Sequence, residues 1–237
     1  MLGNPIPMLE VVGPYLPLIL KGTWVTIAVS LVSLAVACLL GLLGAWAKLS
    51  HSKVANSVAG AYTTLVRGVP DLVLMTIIFF GGQIGINSLV EAMGWDIYIE
   101  IDAFTAGVVS IGFIYGAYMT ETFRGAILAV PKGQIEAAVA CGMTRPTIFR
   151  RVLGPQMMRF ALPSFGNNWL VLLKTTALVS VLGVQELVYN AFSAGRSTRE
   201  MFTFMLVVCV IYLILTTIST TVLRWAEHRY SVGVRRA

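Results

Sequence analysis

An all-α integral membrane protein with five transmembrane helices is the fold class predicted by three features of this sequence. Its 237 residues are 57% hydrophobic and 12% charged, more apolar surface than one soluble core buries. Runs free of Asp, Glu, Lys and Arg recur at 22–47, 72–90, 103–120, 175–185 and 201–223, most of them near the roughly 20 residues that cross about 30 Å of hydrocarbon. Lysine and arginine gather in alternate loops between these runs.

The first span, 22–47, is expected to be retained. The twenty residues before it lack a basic stretch, and its apolar run exceeds that of a cleaved leader. The second apolar region extends from Val54 to Val90, too long for one straight crossing, and is interrupted by Arg67-Gly68-Val69-Pro70-Asp71. Pro70 lacks an N–H and Gly68 tolerates unusual dihedrals, so the helix is expected to break there. Broken helices at membrane depth face protein or a watery cavity. Asp71 therefore has two readings: a charge stabilising the first turn of the second half-helix, with Pro70 at its first position, or a contact on a solute pathway.

The third span carries small residues at four-residue spacing, Gly112, Gly116 and Thr120 on one stripe and Ala117 and Gly125 flanking Glu121 on the next. Such stripes let helices approach closely, within the bundle or with a second subunit. Glu121 lies about 27 Å along this span and has Arg124 at i+3 as a ready partner. The fourth span, about 160–183, holds Asn167, Asn168, Lys174, Thr175, Thr176 and Ser180 among Leu and Val. A lysine there costs several kcal/mol unless it lines a cavity or finds a partner; Glu121, Asp71 and a solute carboxylate are the candidates.

Between spans three and four runs a basic, amphipathic segment, 131–163, too long and too rich in arginine to lie in lipid. Residues 134–141 predict a short helix that Gly142 ends in a left-handed cap. Thr144 offers an N-cap for a second helix with Ile148, Val152 and Leu153 on its apolar side and Arg145, Arg150 and Arg151 opposite.

Five spans place the termini on opposite sides. Lys48, Lys53, Lys132, Arg145, Arg150, Arg151, Arg159, Arg224, Arg229, Arg235 and Arg236 mark one side as cytoplasmic. The N-terminus, 91–102 and 186–200 then lie outside, carrying Glu10, Glu91, Asp96, Glu100, Asp102, Glu186 and Glu200. The net charge of +6 is thereby split between a cationic inner and an acidic outer face, and calls for no nucleic acid. Cys38, Cys141 and Cys209 are isolated and read as small core residues, with neither a disulfide framework nor a metal site.

Glu136-Ala137-Ala138 followed by Gly142, then Val152-Leu153-Gly154-Pro155, resembles the coupling loop of the permease subunits of ABC importers. The likeness covers nearly the whole chain. Residues 63–75, Gly112 to Tyr118, Thr120 to Ala126, Gly166-Asn167-Asn168-Trp169 and Arg229 to Val234 look like the polar amino-acid permeases, most of all the Q-type subunits of histidine/lysine/arginine/ornithine importers. Gly154 departs from the pattern, since many relatives carry Leu before the proline; this bears on the geometry of the second docking helix.

The resemblance implies a type I importer fold, one transmembrane permease domain over 1–237 with its coupling loop at about 131–160, in the bacterial inner membrane. It implies a periplasmic N-terminus and a cytoplasmic C-terminus. The implied partners are a homologous second permease, an ATPase dimer that holds ATP and Mg, and a periplasmic binding protein. No Gly-x4-Gly-Lys-Ser/Thr phosphate loop occurs, so the chain is expected to be non-catalytic and without a cofactor of its own. Glu136, Ala137, Ala138, Gly142, Arg145, Arg150 and Arg151 would couple to the ATPase, and Asp71, Glu121 and Lys174 would lie on the substrate pathway. The rival reading is an ion-coupled secondary carrier with those three groups as a relay; the docking loop and the lack of an inverted repeat weigh against it.

Overall fold

The computed structural model describes residues 8–231, in which there is no β-strand. α1 (Met8–Val12) leads through a 3-10 turn at Gly13–Tyr15 into α2 (Leu16–Leu49), a 34-residue helix about 51 Å long. Its helical course starts before the expected position 22. Pro17 falls in its first turn, where a missing N–H costs nothing.

Ser52 caps α3 (Lys53–Gly68) by accepting from Ala55 N at 3.3 Å. Val69, before a proline, is extended at φ −113°, ψ 142°, and α4 (Asp71–Ala92) starts afresh. The expected break is thus present, with Pro70 as the N-cap and Asp71, not Pro70, as the first helical residue. α5 is Ala103–Leu128. Then come α6 (Lys132–Ala140), α7 (Arg145–Ile148), a π-helical turn at Phe149–Leu153 and α8 (Gly154–Thr175), which continues as a 3-10 helix over Thr176–Leu182. α9 (Leu187–Thr198) and α10 (Met201–Ser231) complete the order. Five helical stretches are long and apolar enough to cross a membrane: Glu10–Leu49, Asp71–Ala92, Ala103–Leu128, Arg145–Leu182 and Met201–Tyr230. The tail motif 232–234, Arg235 and Arg236 lie outside the described residues.

The chain divides into two compact units: Met1–Ala35, Pro70–Gly112 and Leu172–Thr217 in one, Val36–Val69, Phe113–Val171 and Ile218–Ala237 in the other. In the first, Ile19, Leu187, Ala191, Ala194, Phe204 and Val208 form a buried core, with Tyr15 set edge-on to Phe204 at 5.5 Å. The segment 186–200, expected as an outer loop, is therefore largely a packed helix: Leu187, Asn190, Ala191, Ala194 and Gly195 are buried on it. The extended stretch before α5 has no ladder partner, so two amides one turn apart on α4 supply one. Asn87 Nδ2 donates to the Ile99 carbonyl at 2.9 Å while its Oδ1 accepts Ile99 N, and Gln83 Oε1 accepts Ile101 N, both at 2.8 Å.

In the second unit α2 and α5 cross closely. A Cβ on Gly41 would strike Met119, one on Gly44 would strike Thr120, and one on Gly116 would lie 2.8 Å from Leu40 Cβ. The small residues at 116 and 120 are thus used within the chain, whereas the space beside Gly125 is open. Tyr62 adds a hydrogen bond from α3 to the Phe113 carbonyl at 2.5 Å.

Candidate functional site

Two features of the second unit carry the chemistry read from the sequence. The first is the basic segment. α6 starts at Lys132, with Pro131 as its N-cap and two residues before the expected 134, and ends as expected: Gly142 has φ +73°, its N–H reaches the Val139 carbonyl at 2.9 Å, and Met143 N reaches the Ala138 carbonyl at 3.1 Å. This pair of bonds is a Schellman cap, which an L side chain at position 142 would strain. Ala138 is buried, while Glu136, Ala137 and Gly142 are exposed. Cys141 is also exposed, as is Cys209, and Cys38 is half-buried, so none of the three is the core residue expected.

The second docking helix differs from expectation. Thr144 stands at the N-cap, but its hydroxyl pairs with the Thr147 hydroxyl at 2.9 Å instead of capping a backbone N–H. Only four residues are α-helical before the π turn, and the Gly154 N–H closes that turn on the Phe149 carbonyl. Pro155 cannot donate to the ladder, and a Cβ on Gly154 would lie 2.8 Å from the Phe149 oxygen. The departure at Gly154 therefore has a local reason. Arg145, Arg150 and Arg151 are exposed, and the latter two line a shallow cavity of ≈ 390 Å³ with Pro146 and Thr147.

The second feature is a charge cluster. Glu121 accepts from Arg124 at 2.9 and 3.1 Å through Oε2, the expected i+3 pair, and through Oε1 forms an ion pair with Lys48. Lys48 also donates to Thr63 Oγ1 at 2.6 Å, so Glu121 ties α5 to α2 and Lys48 ties α2 to α3. Arg67 lies 5.4 Å over the Tyr118 ring, and Asn168 donates to Thr122 at 2.9 Å. Asn167 and Asn168 were visible as polar residues in an apolar span. Lys48 and Tyr118 were not, because nothing local in sequence points to partners 73 and 51 positions away.

Asp71 and Lys174 belong to the other unit. Asp71 is half-buried in the first turn of α4, where its charge suits the helix dipole. Lys174 is exposed in the last turn of α8 and makes no ion pair among the described residues. Among the described residues no cluster of His, Cys, Asp and Glu could hold a metal.

Glu186, counted above among outer acids, is instead fully buried. It caps α9 by accepting Val188 N and Tyr189 N, each at 2.9 Å, and Thr26 Oγ1 at 3.2 Å. Burial pushes its carboxyl up to about 7 in spite of these donors. Asn190, one turn on, donates to the Leu18 carbonyl at 3.0 Å, and Gly22 leaves the room: a Cβ there would lie 2.7 Å from that amide.

Residues 37–232 match the family described as binding-protein-dependent transport system inner membrane component. The chain is 55% identical over 219 residues to the histidine/lysine/arginine/ornithine transport system permease protein HisQ of Escherichia coli (strain K12), covering 92% of this chain and 96% of that protein. It is 40% identical over 217 residues to the octopine transport system permease protein OccQ of Rhizobium radiobacter, with 92% of each chain covered. A crystal structure of an amino acid ABC transporter with histidines has a chain that superposes with a TM-score of 0.80 at 32% identity, covering 95% of this chain and 100% of that one. The MetNI methionine ABC transporter shares the fold at a TM-score of 0.66 and 20% identity. Nothing in these likenesses supports an ion-coupled carrier. The chain belongs to the family of binding-protein-dependent transport system inner membrane components and has the fold of ABC transporter permease subunits.

Proposed function

We propose that this chain is a transmembrane permease subunit of an ABC importer for basic and polar amino acids, of the histidine, arginine, lysine and ornithine type, in the bacterial inner membrane. The substrate class follows the names of the relatives, HisQ and OccQ, together with that of the arginine permease ArtQ. The whole chain, 1–237, acts as one permease domain beside a homologous second permease, with a periplasmic binding protein above and an ATPase dimer holding ATP and Mg below. Its N-terminus is periplasmic and its C-terminus cytoplasmic.

The single observation that carries this reading is the short, largely exposed helix α6, fixed by a left-handed glycine and flanked by exposed Arg145, Arg150 and Arg151. In our reading Glu136, Ala137 and Gly142 present its surface to the ATPase, while buried Ala138 ties it to the chain. ATP closure of the ATPase dimer then moves α6 as a rigid body, and the spans tip from inward- to outward-facing. Asp71, beside the helix break, and Lys174, an exposed cation at membrane depth, lie on the solute pathway. Glu121, with two cations already on it, holds the pathway wall together. Affinity purification of this chain from native membranes tests the assembly: it should bring down an ATPase polypeptide and a second permease in fixed proportion, and recovery of the chain alone would reject the reading.

A further inference from the structure

We propose that Arg67 anchors the α-carboxylate of the transported amino acid; this rests on the importer reading above. Three observations within one unit carry it. Both oxygens of Glu121 are committed, one to Lys48 and the other to Arg124. With Arg67 alongside, the cluster holds three cations against one carboxylate, an excess of two positive charges that favours an anionic partner.

Arg67 itself makes no ion pair among the described residues. It closes α3 just before the break, exposed, with its guanidinium over Tyr118. Stacking fixes the plane of that group and leaves its N–H edge available, the geometry that takes a carboxylate in two parallel hydrogen bonds.

Open space adjoins it. A cavity of ≈ 410 Å³ is lined by Arg67, Tyr118 and Glu121 together with Thr122, Ser164 and Asn167. Another of ≈ 500 Å³ shares the first three and adds Lys48, Thr63 and Thr64. Hydroxyls and amides on these walls suit a zwitterion's remaining donors and acceptors. The positive excess repels a cationic side chain, so the solute enters carboxylate first with its side chain pointing away. The cluster therefore reads the group common to all amino acids and does not choose between histidine, arginine and lysine.

The test uses the complete transporter in detergent, without nucleotide or binding protein, and measures direct binding of arginine and of agmatine, its decarboxylated analogue. A charged hydrogen-bonded pair corresponds to roughly 10- to 100-fold in affinity, so wild type should bind arginine at least about 10-fold more tightly than agmatine. Arg67→Ala should remove that difference by weakening arginine alone, and Arg67→Lys should fall between. Asn167→Asp alters an exposed side chain with little risk to folding and puts a competing carboxylate in the same cavity; it too should weaken arginine. Equal binding of arginine and agmatine to wild type, unchanged arginine binding in Arg67→Ala or Asn167→Asp, or no arginine binding by wild type up to roughly 10 mM would overturn the assignment. Uptake by the wild-type assembly is measured in parallel. If arginine is imported and any of those results appears, only the Arg67 assignment falls; if nothing is imported, the importer reading falls with it.

Discussion

Lys48 and Glu121 stand 73 positions apart and form an ion pair that joins the end of the first span to the third. Glu121 is only one-fifth exposed, and its other oxygen holds Arg124. Removing the carboxylate strands two cations in a poorly solvated place, a cost of roughly 1–3 kcal/mol. Glu121→Gln should therefore lower the amount of assembled complex and depress uptake of histidine, arginine and lysine equally. Combining it with Lys48→Met should restore part of the loss, as expected for contacting residues. A loss confined to the cationic solutes would instead put Glu121 in direct contact with the substrate.

That pair also marks the limit of what the sequence makes legible. The five spans, the break before Asp71, the Gly142 cap and the Glu121–Arg124 pair all follow from local spacing, and all are present. What escaped depends on tertiary approach. Lys48 reads in sequence only as a positive charge after a span, and nothing near Arg67 announces Tyr118. Glu186 reads as one more outer acid because its burial comes from the return of α9 onto α2 and α10. The second docking helix is shortened because Gly154 and Pro155 together favour a π turn over an uninterrupted α-helix.

The crossing of α2 and α5 should be the least forgiving packing in the chain. Gly44→Ala pushes a methyl group into Thr120, an overpacking that costs about 1–3 kcal/mol. The level of folded protein in the membrane should fall, and Thr120→Ala in the same chain should recover part of it. Wild-type levels for Gly44→Ala alone would mean that the helices separate freely there.

Gly142→Val forces a β-branched residue into φ +73° without meeting any neighbour, since the space around this glycine is open. The strain, roughly 1–2 kcal/mol, falls on the cap and not on the spans. Assembly into the membrane should persist while ATPase stimulation by loaded binding protein drops several-fold; Gly133→Ala, an exposed position inside α6, serves as the control. Undiminished stimulation in Gly142→Val would remove the coupling role of this segment.

Glu186 predicts a pH dependence. Its folded pKa of about 7 lies above the ordinary 4.5, so its contribution to stability is complete below about 4.5 and is lost as pH rises through 7. The shift corresponds to about 3 kcal/mol. Thermal stability of the purified assembly should decline from pH 5 to 8, and Glu186→Gln should flatten that slope. The same slope in both proteins would show that the carboxyl is not the titrating group.

Orientation can be read from a native residue, because Cys141 is exposed beside the Gly142 cap. An impermeant thiol reagent should label it only after the inner membrane is opened, whereas cysteines placed at the exposed Ser88 and Ser197 should react from the periplasm. The reverse pattern would place α6 on the wrong side for an ATPase.

The most direct measurement of the central claim is uptake of radiolabelled arginine, lysine and histidine into proteoliposomes that carry the complete assembly, with binding protein on the entry side. Uptake should require ATP on the side facing α6, require the binding protein, and persist when ionophores collapse the proton and sodium gradients. Uptake that runs without ATP and stops when those gradients are collapsed would contradict the account.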